Sequence, residues 1–233
     1  MNAEVLFART TGREEVRRNG SAAPAAGWNP EDFAREQIRG LVRQVFFSSN
    51  KRPVRQVVFS ALEPETDVKN ICWQVGEALA LETIGSIAVA GEYPQALVDA
   101  ETRQAEMAEY SAKDGSAPVG QAGTRLRSNL WLVPPAGKCA GRAATALLHA
   151  HLSEMRREFE YSIVEGPPAG ESNQAAAMAQ FADGIILVLS AYRTRRIMAR
   201  KIKENLEGVQ VRILGTVLCD RVFPIPDRIY RRL

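Results

Sequence analysis

The chain has 233 residues, 45% of them hydrophobic and 24% charged, with a formal net charge of +3. That composition supplies one sizeable core and excludes global disorder, and the charge is too small to mark the chain by itself as a binder of nucleic acid or acidic membrane. No apolar run approaches the ~20 residues of a membrane span, and no secretion signal is legible.

Residues 1–29 are small, polar and rich in Pro and Gly, which predicts a flexible arm. Asn29 before Pro30 is a helix start: a cap, then a residue whose fixed φ suits the first turn. Phe33, Ile38, Leu41, Val42 and Val45 recur near helical spacing and predict one amphipathic helix of about 18 residues. RPVRQVVFSA then reads as a short buried strand, followed by a helix from Val68 to Glu82 and a second strand over about Ile84 to Ala90. Residues 94–124 read as a partly helical surface insertion. LRSNLWLVPPAG is a third strand, ended by Pro134 and Pro135, and a helix covers about Ala143 to Phe159. YSIVEGPPA is a fourth strand with a tight turn at Gly166. NQAAAMAQFA is a helix, DGIILVLSA a fifth strand, TRRIMARKIKENLEG a basic amphipathic helix and VRILGTVLCDR a sixth strand. Residues 30–222 are thus one domain and 223–233 a proline-bearing tail.

Strands alternating with helices imply a three-layer αβα fold around a mostly parallel sheet. The strands are continuous apolar runs, as burial on both faces requires. Ligands in such sheets bind beyond the carboxyl ends of the strands. That points to Ser60–Asn70, Ala90–Pro94, Pro134–Gly137, Glu165–Ala169 and Cys219–Phe223. Three scattered cysteines, Cys72, Cys139 and Cys219, read as reduced thiols of a cytoplasmic protein. His149 and His151 have no metal-ligand spacing around them.

The stretch FEYSIVEGPPAGESNQAAAMAQFADGIILVLSAYRTRR resembles the second half of a bacterial tyrosine kinase (BY-kinase) domain, one of the deviant-Walker, MinD/ParA-like P-loop ATPases. The resemblance continues through LGTVLCDR and, upstream, through SNLWLVPPAG and VVFSA. It implies a P-loop NTPase-like fold, a role in exopolysaccharide or capsule assembly, and assembly into rings through an early helix bearing E-x-x-R-x-x-R. Glu36, Arg39 and Arg43 nearly match that motif, the second arginine falling one residue late. An ordinary solvated Glu/Arg helix face is the other reading of these three residues.

The nucleotide motifs of the resembled family are degenerate here. The loop Ala61–Asn70 holds no glycine, yet backbone N–H groups cradle phosphates only where glycines let the chain turn closely. Glu63, Glu65 and Asp67 are expected to face the anion position. Aligned from Pro64, Val68 stands where the catalytic lysine would be and Lys69 where the Mg²⁺-binding hydroxyl would be. The D-x-D after the second strand is Ala90-Gly91-Glu92, and the Walker B aspartate is Glu165. The only tyrosine of the tail is Tyr230, where such kinases carry a tyrosine cluster.

The resemblance with these losses implies a catalytically deficient BY-kinase-like protein, with no catalytic residue and no cofactor. It would be a cytoplasmic binding or regulatory partner of a membrane chain-length-determinant (polysaccharide co-polymerase) protein, or of an active BY-kinase, and would itself form oligomers. The alternative is a divergent, active ATP-dependent tyrosine autokinase or ATPase of the same pathway. It would bind ATP and Mg²⁺ through Lys69, Asn70, Asp220 and Arg221, with Glu165 and Glu92 at the metal. A scaffold derived from a segregation ATPase is a third reading. No nucleic-acid partner is expected. Arg193, Arg196, Arg200 and Lys203 form a stripe on the fifth predicted helix, opposite Ile197, Ile202 and Leu206. It reads either as a docking face or as a solvated one. Trp73 and Trp131 are expected in the core.

Overall fold

The structure is a computed structural model that describes residues 3–6, 30–48, 52–92, 123–135 and 144–220. Eight strands form one sheet in the order β1-β8-β7-β2-β6-β3-β5-β4. They are β1 (Ala3–Leu6), β2 (Gln56–Ala61), β3 (Ile87–Ala90), β4 (Thr124–Arg127), β5 (Leu130–Val133), β6 (Tyr161–Glu165), β7 (Gly184–Ser190) and β8 (Ile213–Cys219). Every pairing is parallel except β4 with β5. The helices are α1 (Pro30–Phe46), α2 (Val68–Glu82), α3 (Ala144–Glu158), α4 (Gln174–Phe181) and α5 (Arg196–Gly208). The three-layer αβα architecture expected from the strand–helix alternation is therefore present.

Alternation along each strand decides which helices it meets. Val57, Phe59 and Ala61 of β2 join Ile87 and Val89 of β3 in a cluster completed by Leu41, Val42 and Val45 of α1 and Ile71, Val75 and Leu79 of α2. On the other face, Val58 of β2, Ala88 and Ala90 of β3 and Val164 of β6 pack with Leu152 and Met155 of α3, Met178 and Ala179 of α4, and Ile202 and Leu206 of α5. β2 is buried along its whole length, as a central strand of a doubly covered sheet must be. Trp73 belongs to the first cluster. Trp131 is half-buried, packing edge-on against Phe159 with the Arg125 guanidinium over its ring.

Two elements depart from expectation. Within the expected arm, Ala3–Leu6 forms β1, which extends the sheet beside β8 in parallel register, and residues 7–29 lie outside the described residues. The third predicted strand is instead a hairpin: Thr124–Arg127 turns at Ser128-Asn129 and runs back antiparallel as Leu130–Val133. A two-residue turn with Asn suits such a hairpin. The 94–124 insertion lies outside the described residues up to 122, and so does the 223–233 tail. Asp183, in the ADG that precedes β7, has a structural task. Its carboxylate accepts the Arg55 and Gln56 amides at 2.7 and 2.9 Å, tying the start of β2, and pairs with Arg156.

Candidate functional site

A cavity of about 440 Å³ opens beyond the carboxyl ends of β2, β3, β5 and β6. Four connections wall it: Ala61 and Pro64 to Lys69 after β2, Glu92 after β3, Pro135 after β5, and Glu165 to Pro168 at the end of β6. Leu148 of α3 and Gln174 and Met178 of α4 close it from the second helical layer. The first four groups lie in stretches that the sheet rule had marked. Leu148, Gln174 and Met178 had been missed, because a helix contributes to such a site only through its tertiary placement.

The loops around the cavity are stitched together at their roots. Ser60 Oγ donates to Pro167 O at 2.6 Å, Gly166 N to Phe59 O at 2.8 Å and Ala169 N to Ala61 O at 2.8 Å. Gly170 fits this seam because a Cβ there would stand 2.3 Å from Leu62 O. Ser60 is fully buried, and a hydroxyl at the buried end of β2 is the signal that it holds a neighbour.

Four amides at the turn between β2 and α2 are engaged within the protein. Leu62 N donates to Val188 O (3.2 Å), Thr66 N to Glu63 O (3.3 Å) and Val68 N to Thr66 O (2.9 Å). Asn70 N donates to Asp67 Oδ1 (3.1 Å), so Asp67 is the N-cap of α2. Pro64 has no N–H to offer.

The charges distribute differently from the expectation for the loop. Glu65 and Asp67 line the cavity, but Glu63 turns to the β7–α5 connection, where its Oε2 accepts the Thr194 hydroxyl at 2.7 Å. Among the described residues of the cavity's walls, Glu92 and Glu165 complete four carboxylates facing one ammonium, Lys69. Lys69 Nζ lies 3.9 Å from Glu92 Oε2, and Glu92 N donates to Glu165 Oε2 at 3.3 Å. Burial pushes the Glu165 carboxyl above the usual carboxylate range. Lys69 and the Glu92 amide act against that rise, while the Glu92 and Asp67 carboxylates add to it.

The remaining predicted site residues separate. Val68, in the lysine's place, is buried within the α1/α2 cluster while its edge lines the cavity. Ala90 is buried at the end of β3. Asn70 takes the Gln74 amide on its side chain at 3.2 Å. Asp220, with φ of 57°, accepts the Ser190 hydroxyl at 2.9 Å and is not among the cavity's walls. Arg221 lies outside the described residues. Away from the cavity, Glu36 and Arg39 form an exposed pair at 3.8 Å, and Arg43 reaches Glu82 at the end of α2 at 2.8 Å. Cys72 and Cys219 are buried thiols outside any disulfide; Cys139 is outside the described residues. Burial holds His151 below the usual imidazole range. Among the described residues no group of three or more His, Cys, Asp or Glu side chains is placed to hold a metal ion, and no helix is long and apolar enough to cross a membrane.

One expectation for the basic stripe is overturned. Ile202 and Leu206 are buried, but Ile197 is 84% exposed. It follows the first residue of α5, where helical spacing carries it to the face opposite Ile202, among the cations.

This fold, with a strand–turn–helix unit at the centre of its sheet and a cavity at the carboxyl ends, is shared with the deviant-Walker P-loop proteins of MinD and ParA type. Within that class the fold is BY-kinase-like. The kinase domain of the Escherichia coli tyrosine kinase ETK superposes with a TM-score of 0.64 at 13% identity, covering 95% of this chain and 92% of that one. The MinD cell division protein of Aquifex aeolicus gives 0.53 at 16% identity, covering 76% of this chain and 72% of that one. In sequence, the chain is 30% identical over 148 residues to the tyrosine-protein kinase CpsD of Streptococcus agalactiae serotype III (strain NEM316), taking in 57% of this chain and 63% of that kinase. The match thus spans less than two thirds of its relative's length. No family profile matches the chain.

Proposed function

We propose that the protein is a catalytically deficient relative of the BY-kinases, acting as a cytoplasmic binding or regulatory partner in capsule or exopolysaccharide biosynthesis. The observation that carries this reading is the engagement of four amides at the turn between β2 and α2. A phosphate cradle needs convergent, unengaged N–H groups. Here those of Leu62, Thr66, Val68 and Asn70 are engaged within the protein, and a proline stands among them. The charge acts in the same direction. Like charges ~4 Å apart repel by ~4 kcal/mol at an effective dielectric of 20, and a triphosphate would meet Glu65, Asp67, Glu92 and Glu165 with Lys69 the one cation among the described residues of the cavity's walls. These residues do not fit ATP and Mg²⁺. The likeness to a tyrosine-protein kinase supports the pathway. The partners it suggests are a membrane chain-length-determinant protein and an active BY-kinase.

The competing reading is an active ATP-dependent tyrosine autokinase, with Lys69 and Glu165 retained in the cavity. Thermal unfolding with and without millimolar Mg-ATP separates the two. A site with Kd near 10 µM adds ~2.7 kcal/mol at 1 mM ligand, an upward shift of roughly 5 to 10 °C for a domain of this size. No shift is expected, and a shift of that size refutes the proposal.

A further inference from the structure

We propose that the amino-terminal end of α5, with the turn before it, is a docking surface for an anionic lipid bilayer. Three large apolar side chains stand in solvent over seven residues: Tyr192 (80% exposed), Ile197 (84%) and Met198 (45%). They are interleaved with Arg193, Arg195, Arg196, Arg200 and Lys201, all exposed. On a helix, Ile197 neighbours Arg200 and Lys201 at i+3 and i+4, so an exposed isoleucine lies beside two cations.

Single exposed apolar residues are ordinary on a surface. This cluster differs in its electrostatic setting. Glu204 pairs with Arg200 at 3.0 Å and Glu207 with Lys203 at 3.6 Å, which neutralises the later turns of α5. Arg193, Arg195, Arg196 and Lys201 make no ion pair with a described residue. The first turn holds no acidic residue, and the N-cap position is Arg195, without a side-chain cap bond. Cations at the positive end of a helix dipole oppose local stability. A sequence that keeps three arginines there meets a requirement other than folding.

The turn that presents Tyr192 is held firmly. Ser190 N donates to Thr194 Oγ1 at 3.0 Å, Thr194 Oγ1 to Glu63 Oε2 at 2.7 Å, and Ser190 Oγ to Asp220 Oδ2 at 2.9 Å. Tyr192 itself sits at φ of 68°, a region a tyrosine rarely adopts. The protrusion is thus a fixed feature of the fold. A bilayer supplies complements to both parts of it: headgroup phosphates for the arginines, and the headgroup–acyl boundary for Tyr192, Ile197 and Met198. A nucleic-acid backbone would complement the arginines and leave Ile197 without a counterpart. This surface is separate from the cavity, and the inference does not depend on whether the cavity takes nucleotide.

Cosedimentation of the full chain with phosphatidylcholine vesicles, with and without phosphatidylglycerol, tests the assignment. Binding to the anionic vesicles alone is expected, weakened by salt. Ile197→Glu and Arg196→Glu should each reduce the bound fraction by roughly tenfold while the melting temperature stays that of the parent chain. Failure of the parent chain to sediment with anionic vesicles overturns the proposal, as does an Ile197→Glu variant that binds like the parent. Duplex DNA binding lost in Arg196→Glu but kept in Ile197→Glu, without vesicle binding, would make this a nucleic-acid surface instead.

Discussion

Glu165 occupies the end of β6, where its carboxyl is held half-buried between the Glu92 amide and the Asp67 and Glu92 carboxylates. Its folded-state proton affinity is raised, chiefly by burial. An acid so raised favours the folded state when protonated, and that contribution is lost as pH rises from the ordinary carboxylate range through the folded value. Glu165→Gln retains an acceptor for the Glu92 amide and removes the ionisation. It should melt above the parent chain at neutral pH, with the gain fading as pH falls into the ordinary carboxylate range. Equal melting temperatures at neutral pH would show that Lys69 fully offsets the burial. Asp67, a few residues from Lys69, has the opposite character: it is bound to the fold as an N-cap. Asp67→Ala should cost about 1 kcal/mol, a drop of roughly 2 to 4 °C in melting temperature, so the residue is retained for α2 whatever the cavity binds.

At the scale of elements, the junction of β2 and β6 determines the site. The strand–turn–helix unit from Gln56 to Glu82 persists because both its elements are buried, even though the turn between them has none of the glycines of a phosphate loop. The connection after β6 is sewn to it at Phe59, Ser60 and Ala61. Gly170 is the tightest point, since the atom a Cβ would meet is a backbone oxygen that cannot move aside alone. Gly170→Ala should therefore lower stability by about 1 to 3 kcal/mol, measured by chemical denaturation. A neutral result would mean that the two loops slide freely, and with them the cavity's floor. The β4–β5 hairpin and the true placement of Ile197 belong to this scale as well. Leu126 and Leu130 to Val133 look like one apolar run, and only the Ser128-Asn129 turn divides them. Ile197 fits the helical period of Ile202 poorly, but the sheet's position against α5 is what determines which face is covered.

For the whole molecule, α1 packs beside α2 on the first face of the sheet. Its Arg43 is anchored to α2 through Glu82, whereas the Glu36–Arg39 pair is exposed. We propose that this exposed part carries self-association or partner binding. Arg39→Glu should then reduce the sedimentation-measured association state or the pull-down of a chain-length-determinant partner. Its melting temperature should stay close to that of the parent, since an i,i+3 pair is worth only ~0.2–0.5 kcal/mol. A protein that is monomeric and retains no such partner with either sequence would exclude this role for α1.

The αβα class, the α2 span and the four loops around the cavity were legible from hydrophobic period, turn residues and the rule for carboxyl strand ends. All are local or topological signals carried by neighbouring residues. The missing glycines of the turn after β2 were legible too. Tertiary packing alone decided that Glu63 would turn to Thr194, that Asp220 would bond Ser190 and stand outside the cavity's walls, and that Leu148, Gln174 and Met178 would close the pocket. It also put Ile197 in solvent beside the arginines. Each of these depends on where a side chain points relative to an element distant in the chain. Period and propensity describe how a segment folds on itself and contain no term for that distance.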